Sequence, residues 1–363
     1  MNKGVFQRLI VPGLIFQSTM IGGGYATGRE LIEFFLQLGP QAGLVAMLVA
    51  TIAMSVICAT AFEFSRKFAL YDYKSFTQKL LGSGWFLFEW AYVALLILIL
   101  SVIGAASGEL VHSLFGGPPI LGTIALMITI CVFVFLGSRA IELFLASWSI
   151  VLYSAYVILL IWCFISFGDD ISANLITTNQ PSIDHRIFGS GLKFSGYNVI
   201  AFMSVLFVVK DFLNRKDALI AGVLCGPLGM LPGLFLLIGM IAYYPEVIDE
   251  ALPINYLLAK LNSPQFITIF QIIIFGTFIE TGTALLHTIN ERISNTFKDK
   301  AKTMPQHLRP LISITLLVIA IFVADAVGLV ALIGQGYVYS SYTFLLILIL
   351  PLLTRGVWLM MKK

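Results

Sequence analysis

Charge is scarce in this chain. Asp, Glu, Lys and Arg make up 11% of 363 residues, against roughly 25% in soluble domains, which excludes an ordinary soluble fold. Histidines and cysteines number four each. Cys58, Cys131, Cys163 and Cys225 stand singly inside apolar runs without metal-ligand spacing, so they read as small core residues in a reduced setting rather than as a metal site or disulfide framework. No phosphate-binding Gly-rich loop with its Lys and Ser/Thr occurs, and no nucleophile motif. ATP-driven transport within the chain and membrane-embedded hydrolysis therefore lack support, and the chain does not read as an enzyme. The net charge is only +3, with basic residues in short clusters between apolar runs, which excludes nucleic acid as a partner.

Apolar length is abundant instead. Hydrophobic residues make up 59% of the chain, and its mean hydropathy of +0.95 places it among all-α integral membrane proteins, with the lipid bilayer as its principal surroundings. Apolar length and polar loops predict ten transmembrane helices, at 9–38, 41–65, 85–112, 119–137, 142–167, 188–212, 217–244, 264–291, 309–325 and 329–354. Lys3 and Arg8 ahead of an apolar run mimic a signal peptide, but Pro12 and Gly13 interrupt the run, and it reads as an uncleaved first span. With both termini cytoplasmic, 18 of the 22 basic residues fall on the inner side, Arg186 and Lys260 fall outside, and Arg29 and Lys193 lie within spans. The positive-inside rule thus predicts a multi-pass inner-membrane protein in that orientation.

The polar loop 168–187 divides the chain into a first five-span half, 1–167, and a second, 188–363. A shift of 172 residues lays Gly24-Tyr25 on Gly196-Tyr197 and brings charged connectors, 66–84 and 245–263, into corresponding places. Five being odd, the halves are inverted: a 5+5 inverted repeat of the kind found in secondary transporters. The first span carries Gly22, Gly23, Gly24 and Gly28 within seven residues, and the sixth carries Gly189, Gly191 and Gly196. At about 1 kcal/mol of helix stability per glycine, both spans are expected to be broken. Irregular backbone at that depth survives only where protein or a cavity covers it, so paired breaks point to a midplane binding site.

The stretch Gly22-Gly23-Gly24-Tyr25-Ala26-Thr27-Gly28-Arg29-Glu30-Leu31-Ile32-Glu33-Phe34-Phe35, with Phe194-Ser195-Gly196-Tyr197-Asn198, resembles the YkvI-type family of bacterial membrane proteins. The ten-span pattern resembles the LeuT-fold transporters of the amino acid, polyamine and organocation superfamily. The resemblance implies cation-coupled transport of a small polar solute, amino-acid-like by analogy, through rocking of spans one, two, six and seven. It implies no cofactor apart from Na⁺ as a coupling ion. Span five carries no Lys of the sort some proton-coupled relatives use, and Na⁺ and H⁺ both remain open. An ion channel and a non-transporting sensor are the rival readings.

Expected solute contacts are Gly23, Gly24, Thr27, Gly28 and Arg29 from the first break and Phe194, Ser195, Gly196, Tyr197 and Asn198 from the second. Arg29 and Glu33, four apart, also suit a simple ion pair, and the glycines also suit close helix packing. By resemblance, Na⁺ would lie among Gly22, Tyr25, Thr281 and Thr283. Glu280 beside those threonines would neutralise that ion, carry the coupling proton or serve as a buried structural acid. Glu30 and Glu109 are the expected gate acids, and Tyr337 at the start of span ten reads as part of an aromatic belt ahead of a thin gate.

Overall fold

The computed structural model describes residues 4–136, 138–177, 184–299, 305 and 307–362. Lys3, Gly137, Lys300, Lys302, Lys363 and the stretch 178–183 of the expected loop lie outside the described residues. Among those described, the regular structure is helical throughout.

The chain enters through α1 (Val5–Leu9) and α2 (Val11–Met20), with Pro12 in the first turn of α2, where a missing N–H is tolerated. At Ile21 the backbone leaves helical geometry, with ψ 88°. A four-residue turn, α3 (Gly23–Ala26), follows, and then Gly28 at φ +82°, a left-handed conformation that a Cβ would strain. Helix resumes as α4 (Arg29–Phe34). The glycine cluster thus cuts the first apolar segment into pieces.

The long helices come next. They begin with α5 (Pro40–Phe68), then a connector helix α6 (Tyr73–Leu81) capped by Asp72, whose carboxylate accepts from the Ser75 N–H. After α7 (Trp85–Phe115) and α8 (Ile120–Leu136), α9 (Ser138–Thr177) runs for 40 residues with a non-helical Phe167 inside it. The polar stretch expected as a loop from 168 is therefore helical to Thr177. The expected second break also takes another form. The glycines at 189, 191 and 196 lie inside continuous α10 (His185–Asn198), and the irregularity comes after it, where Val199–Asp211 tightens into a 3₁₀ helix.

The second half continues with α11 (Arg215–Ile241), which holds Pro227 and Pro232, a second connector helix α12 (Pro253–Lys260), and the 36-residue α13 (Pro264–Asp299). Beyond α14 (Leu308–Val327) and the short α15 (Leu329–Ala331), the last segment alternates π-type turns, at Leu332–Tyr337, Leu345–Ile349 and Leu352–Gly356, with α16 (Val338–Phe344) and α17 (Val357–Met361).

Among the described residues, eight helical stretches are long and apolar enough to cross a bilayer, against the ten expected. The two that fall short are the first segment, cut by its glycines, and α8, whose 17 residues sit at the lower limit of a span. Large side chains such as Ile128, Ile161, Phe322 and Leu346 are exposed around the outside, an apolar girdle suited to acyl chains. Inside, small residues set the packing. A Cβ on Gly222 of α11 would overlap the backbone of Ala59 in α5, and one on Gly191 of α10 would stand 2.5 Å from the Ala46 carbonyl oxygen. Gly191 and Gly196 of α10 therefore serve close helix approach, the packing role.

Ion pairs cluster at the end of the bundle that holds both termini. Arg8 pairs with Asp217 at 2.6 Å and Arg66 with Glu63 at 2.7 Å, Arg292 pairs with Glu89, and Lys67 donates to the Met360 carbonyl near the C-terminus. The opposite end carries α12.

Candidate functional site

The interruption between α2 and α4 opens on a cavity of about 660 Å³, including its mouth. Gly22 and Glu30 come from the interrupted segment, Tyr197 and Asn198 from the end of α10, Thr281 from α13 and Tyr337 from the π-type turns of the last segment. Tyr92, Leu95, Leu96 and Ile99 of α7 complete an aromatic and apolar wall. Such a site, mostly apolar with a few convergent polar groups, suits a small solute.

Glu30 is the polar centre. It is only 3% exposed, and the Tyr197 hydroxyl donates to its Oε2. The Asn198 side chain and the Tyr25 backbone N–H lie beside it. The carboxylate folds back over Gly24 so closely that a Cβ there would overlap Oε1 and lie 2.7 Å from Cγ. Only glycine fits beneath it. The Tyr197 ring stacks on Tyr337 with centroids 4.4 Å apart and planes 13° from parallel. Tyr337 is thus buried at the cavity, 2% exposed, rather than in an interfacial belt.

Tyr25 points the other way, into α11. Its hydroxyl accepts from the Gly233 N–H at 2.6 Å and donates to the Gly229 carbonyl at 3.0 Å. Those two groups are four residues apart, the pair that closes one helical turn, so the tyrosine inserts into the ladder next to Pro232. The Tyr156 hydroxyl donates to the Ala26 carbonyl at 2.8 Å, holding the same short segment from α9.

The other expected solute contacts are dispersed around the cavity. Gly23 opens α3. Thr27 donates to the Gly24 carbonyl at 3.0 Å, and its own carbonyl accepts from the Ile254 N–H of α12 at 3.1 Å. Gly28 lies against Met240 and Pro253. Arg29, 4% exposed, donates to the carbonyls of Ile248 and Glu250 at 2.8 and 3.0 Å and pairs with Glu33 at 3.2 Å. It ties the interrupted segment to the connector before α12 and lies outside the cavity walls. Ser195 donates to the carbonyls of Gly191 and Ala50, toward α5, and Gly196 abuts Ser341. Phe194 is fully buried among Phe34, Phe35, Tyr25 and Tyr197, with its ring 4.8 Å from that of Phe35.

Of the expected Na⁺ ligands, the structure brings two together. A Cβ on Gly22 would lie 3.6 Å from Thr281 Cγ2 and 3.9 Å from its hydroxyl. The Tyr25 carbonyl accepts from the Gly28 N–H at 3.1 Å, and the Thr283 hydroxyl donates to the Ile279 carbonyl of its own helix. Glu280 stands off the cavity walls with Tyr153 in its electrostatic surroundings. Glu109 lies near the end of α7, half-buried, also off those walls. Among the described residues no group of three or more His, Cys, Asp and Glu side chains gathers as a metal site.

The two ends of the cavity differ. Toward α12, the Phe34-Phe35-Phe194 cluster, the Arg29 tie and the Ser190 bond to the Phe34 carbonyl close it. Toward the termini its walls run on to Thr19 and Ser204, whose hydroxyls are 2.8 Å apart, and Thr19 is exposed. Tyr92, Leu95, Leu96 and Ile99 escaped sequence reasoning because a tyrosine and aliphatics in an apolar helix carry no signal separating cavity from lipid.

No family model matches the chain, and no curated protein does. Solved structures do. The fold is similar to that of MhsT in complex with L-phenylalanine, at a TM-score of 0.63 and 16% identity over 93% of this chain and 86% of that one. It is similar to the substrate-bound outward-open state of a Na⁺-coupled sialic acid symporter, at 0.55 and 13% over 94% and 85%. A third is a manganese transporter of Eremococcus coleocola, at 0.55 and 15% over 94% and 77%. The chain is a helical membrane protein with the LeuT fold of these transporters.

Proposed function

We propose that the chain is a cation-coupled secondary transporter of a small organic solute, working by alternating access around the Glu30 cavity. The observation that carries this reading is the cavity at the helix interruption, mostly apolar around the Glu30 carboxylate, shut toward α12 and continuing toward the termini. A channel needs a continuous pore, whereas one closed and one open end describe one state of an alternating cycle. The relatives in fold support the class: one is a Na⁺-coupled sialic acid symporter, and another, MhsT, is in complex with an amino acid.

In this reading the first segment, despite its interruption, and the short α8 cross the bilayer with the eight long stretches, restoring ten spans in two inverted halves, 1–167 and 188–363. Both termini face the cytoplasm of an inner membrane, so the described state faces inward. Closing the inner end and opening the outer one requires the interrupted segment to break the Arg29 tie and the Thr27–Ile254 bond. Tyr25, pegged into α11, makes the segment and that helix move as one body. The coupling cation is assigned to the Gly22 carbonyl and the Thr281 hydroxyl, hard oxygen donors beside the cavity.

The test is counterflow and gradient-driven uptake in proteoliposomes over a panel of small amines and amino acids, with Na⁺ and H⁺ gradients imposed separately. Thr281→Val keeps the shape and removes the hydroxyl. It should raise the half-saturating concentration of the coupling cation about tenfold, the equivalent of one lost ligand interaction. Unchanged ion dependence would remove Thr281 from coupling, and the absence of counterflow for every solute would remove transport.

A further inference from the structure

The Glu30 carboxylate determines what the cavity takes. It is almost wholly buried, it lines the cavity, and none of the ion pairs formed among the described residues includes it. Its sequence neighbour Arg29 is directed to Glu33 and to two carbonyls at the connector. The cavity walls contain no Lys, Arg or His. The Tyr197 hydroxyl orients the carboxylate above Gly24, with Asn198 and the Tyr25 N–H beside it, but none of them supplies positive charge. A buried acid in a membrane protein is costly unless a counter-charge meets it. Here neutrality comes from a proton on the carboxyl or from a cation that enters, and the walls favour the cation.

The surroundings specify the rest of the ligand. The rings of Tyr92, Tyr197 and Tyr337 line the cavity, and aromatic rings attract a cation, while Leu95, Leu96 and Ile99 receive an apolar body. An amino acid fits poorly. The backbone N–H of Tyr25, one donor at the interruption on which a solute carboxylate would rely, already faces Glu30. The space over Gly24 is filled by the Glu30 side chain. A second carboxylate would stand beside the first with no basic side chain among the described wall residues to receive it.

We propose that the solute of this cavity is a monovalent organic cation, a primary or secondary amine with an apolar body and no carboxylate, and that Glu30 is its counter-ion. The proposal rests on reading this cavity as the solute site. It replaces the amino-acid analogy with a different chemical class.

The experiment compares 2-phenylethylamine with L-phenylalanine, which differ by the carboxylate alone, as ligands of the purified full-length protein, by thermal stabilisation and equilibrium binding. The amine should stabilise the wild-type protein, and L-phenylalanine should bind at least about tenfold more weakly. Glu30→Gln, which keeps an acceptor for Tyr197, should weaken amine binding by more than about tenfold, while Glu30→Asp should retain the preference for the amine. The wild-type comparison stands even where a variant fails to fold. L-phenylalanine binding as well as the amine, no binding of the amine to the wild-type protein, or unchanged amine affinity in Glu30→Gln would each overturn the proposal. Counterflow separates it from the transport reading. Glu30-dependent amine binding without counterflow upholds this assignment and removes transport, whereas counterflow of a zwitterion indifferent to Glu30→Gln removes this assignment and keeps transport.

Discussion

At the scale of single residues, three side chains of one short stretch do three different things. Tyr25, Arg29 and Glu30 are all almost fully buried, yet the first joins α11, the second the connector before α12, and the third the cavity. With helix broken at Ile21 and again at Gly28, Tyr25 is turned independently of the other two, and Arg29 and Glu30 diverge by the ordinary step of about 100° within α4. The Tyr25 hydroxyl is the clearest to test. Tyr25→Phe leaves the Gly229 carbonyl and the Gly233 N–H facing an apolar ring edge. The loss should be about 1–3 kcal/mol, read as a lower unfolding temperature in detergent and softer amide exchange around Pro232. No loss would show that the helix closes its own turn without the tyrosine.

At the scale of elements, glycines of similar sequence appearance divide by what lies opposite them. Gly222 meets the backbone of Ala59, so Gly222→Ala should destabilise by about 1–3 kcal/mol through overpacking. Gly189, also within a helix, has nothing within 4 Å of a built Cβ, and Gly189→Ala should be neutral or stabilising by up to about 1 kcal/mol. Equal effects in thermal unfolding would contradict the packing account. This division also marks the limit of what the sequence discloses. The glycine cluster at 22–28 revealed the first interruption because three consecutive glycines leave a helix little to recommend it. The looser set at 189–196 looked alike, but there close contacts with α5 and Ser341 hold the helix together, and the change of geometry comes at Val199. Long apolar runs disclosed the eight long stretches and the end of span five at the Phe167 kink, whereas the helical turns beyond that kink were hidden by their polar residues.

At the scale of the whole molecule, the sequence pattern pointed to Gly22, Glu30, Tyr197, Asn198 and Thr281, five residues from three distant parts of the chain that share one cavity. The tyrosines at 92 and 337 join them only through folding, since nothing local distinguishes a cavity ring from a lipid-facing one. Arg29, by contrast, is a legible charge whose destination was not: only the chain path before α12 shows that two carbonyls receive it. The asymmetry between the two ends is likewise a property of the assembled bundle. Aromatic packing and the Arg29 tie close the α12 end, while exposed Thr19 marks the way toward the termini.

Alternating access is therefore tested most directly by a single cysteine at the cavity's open end, Thr19→Cys in a background lacking the four native cysteines, attacked by a charged, membrane-impermeant thiol reagent. In reconstituted vesicles of known orientation, modification should come from the face that carries the N-terminus, and a bound solute should change its rate. Equal modification from both faces, or modification from the α12 face alone, would contradict the account.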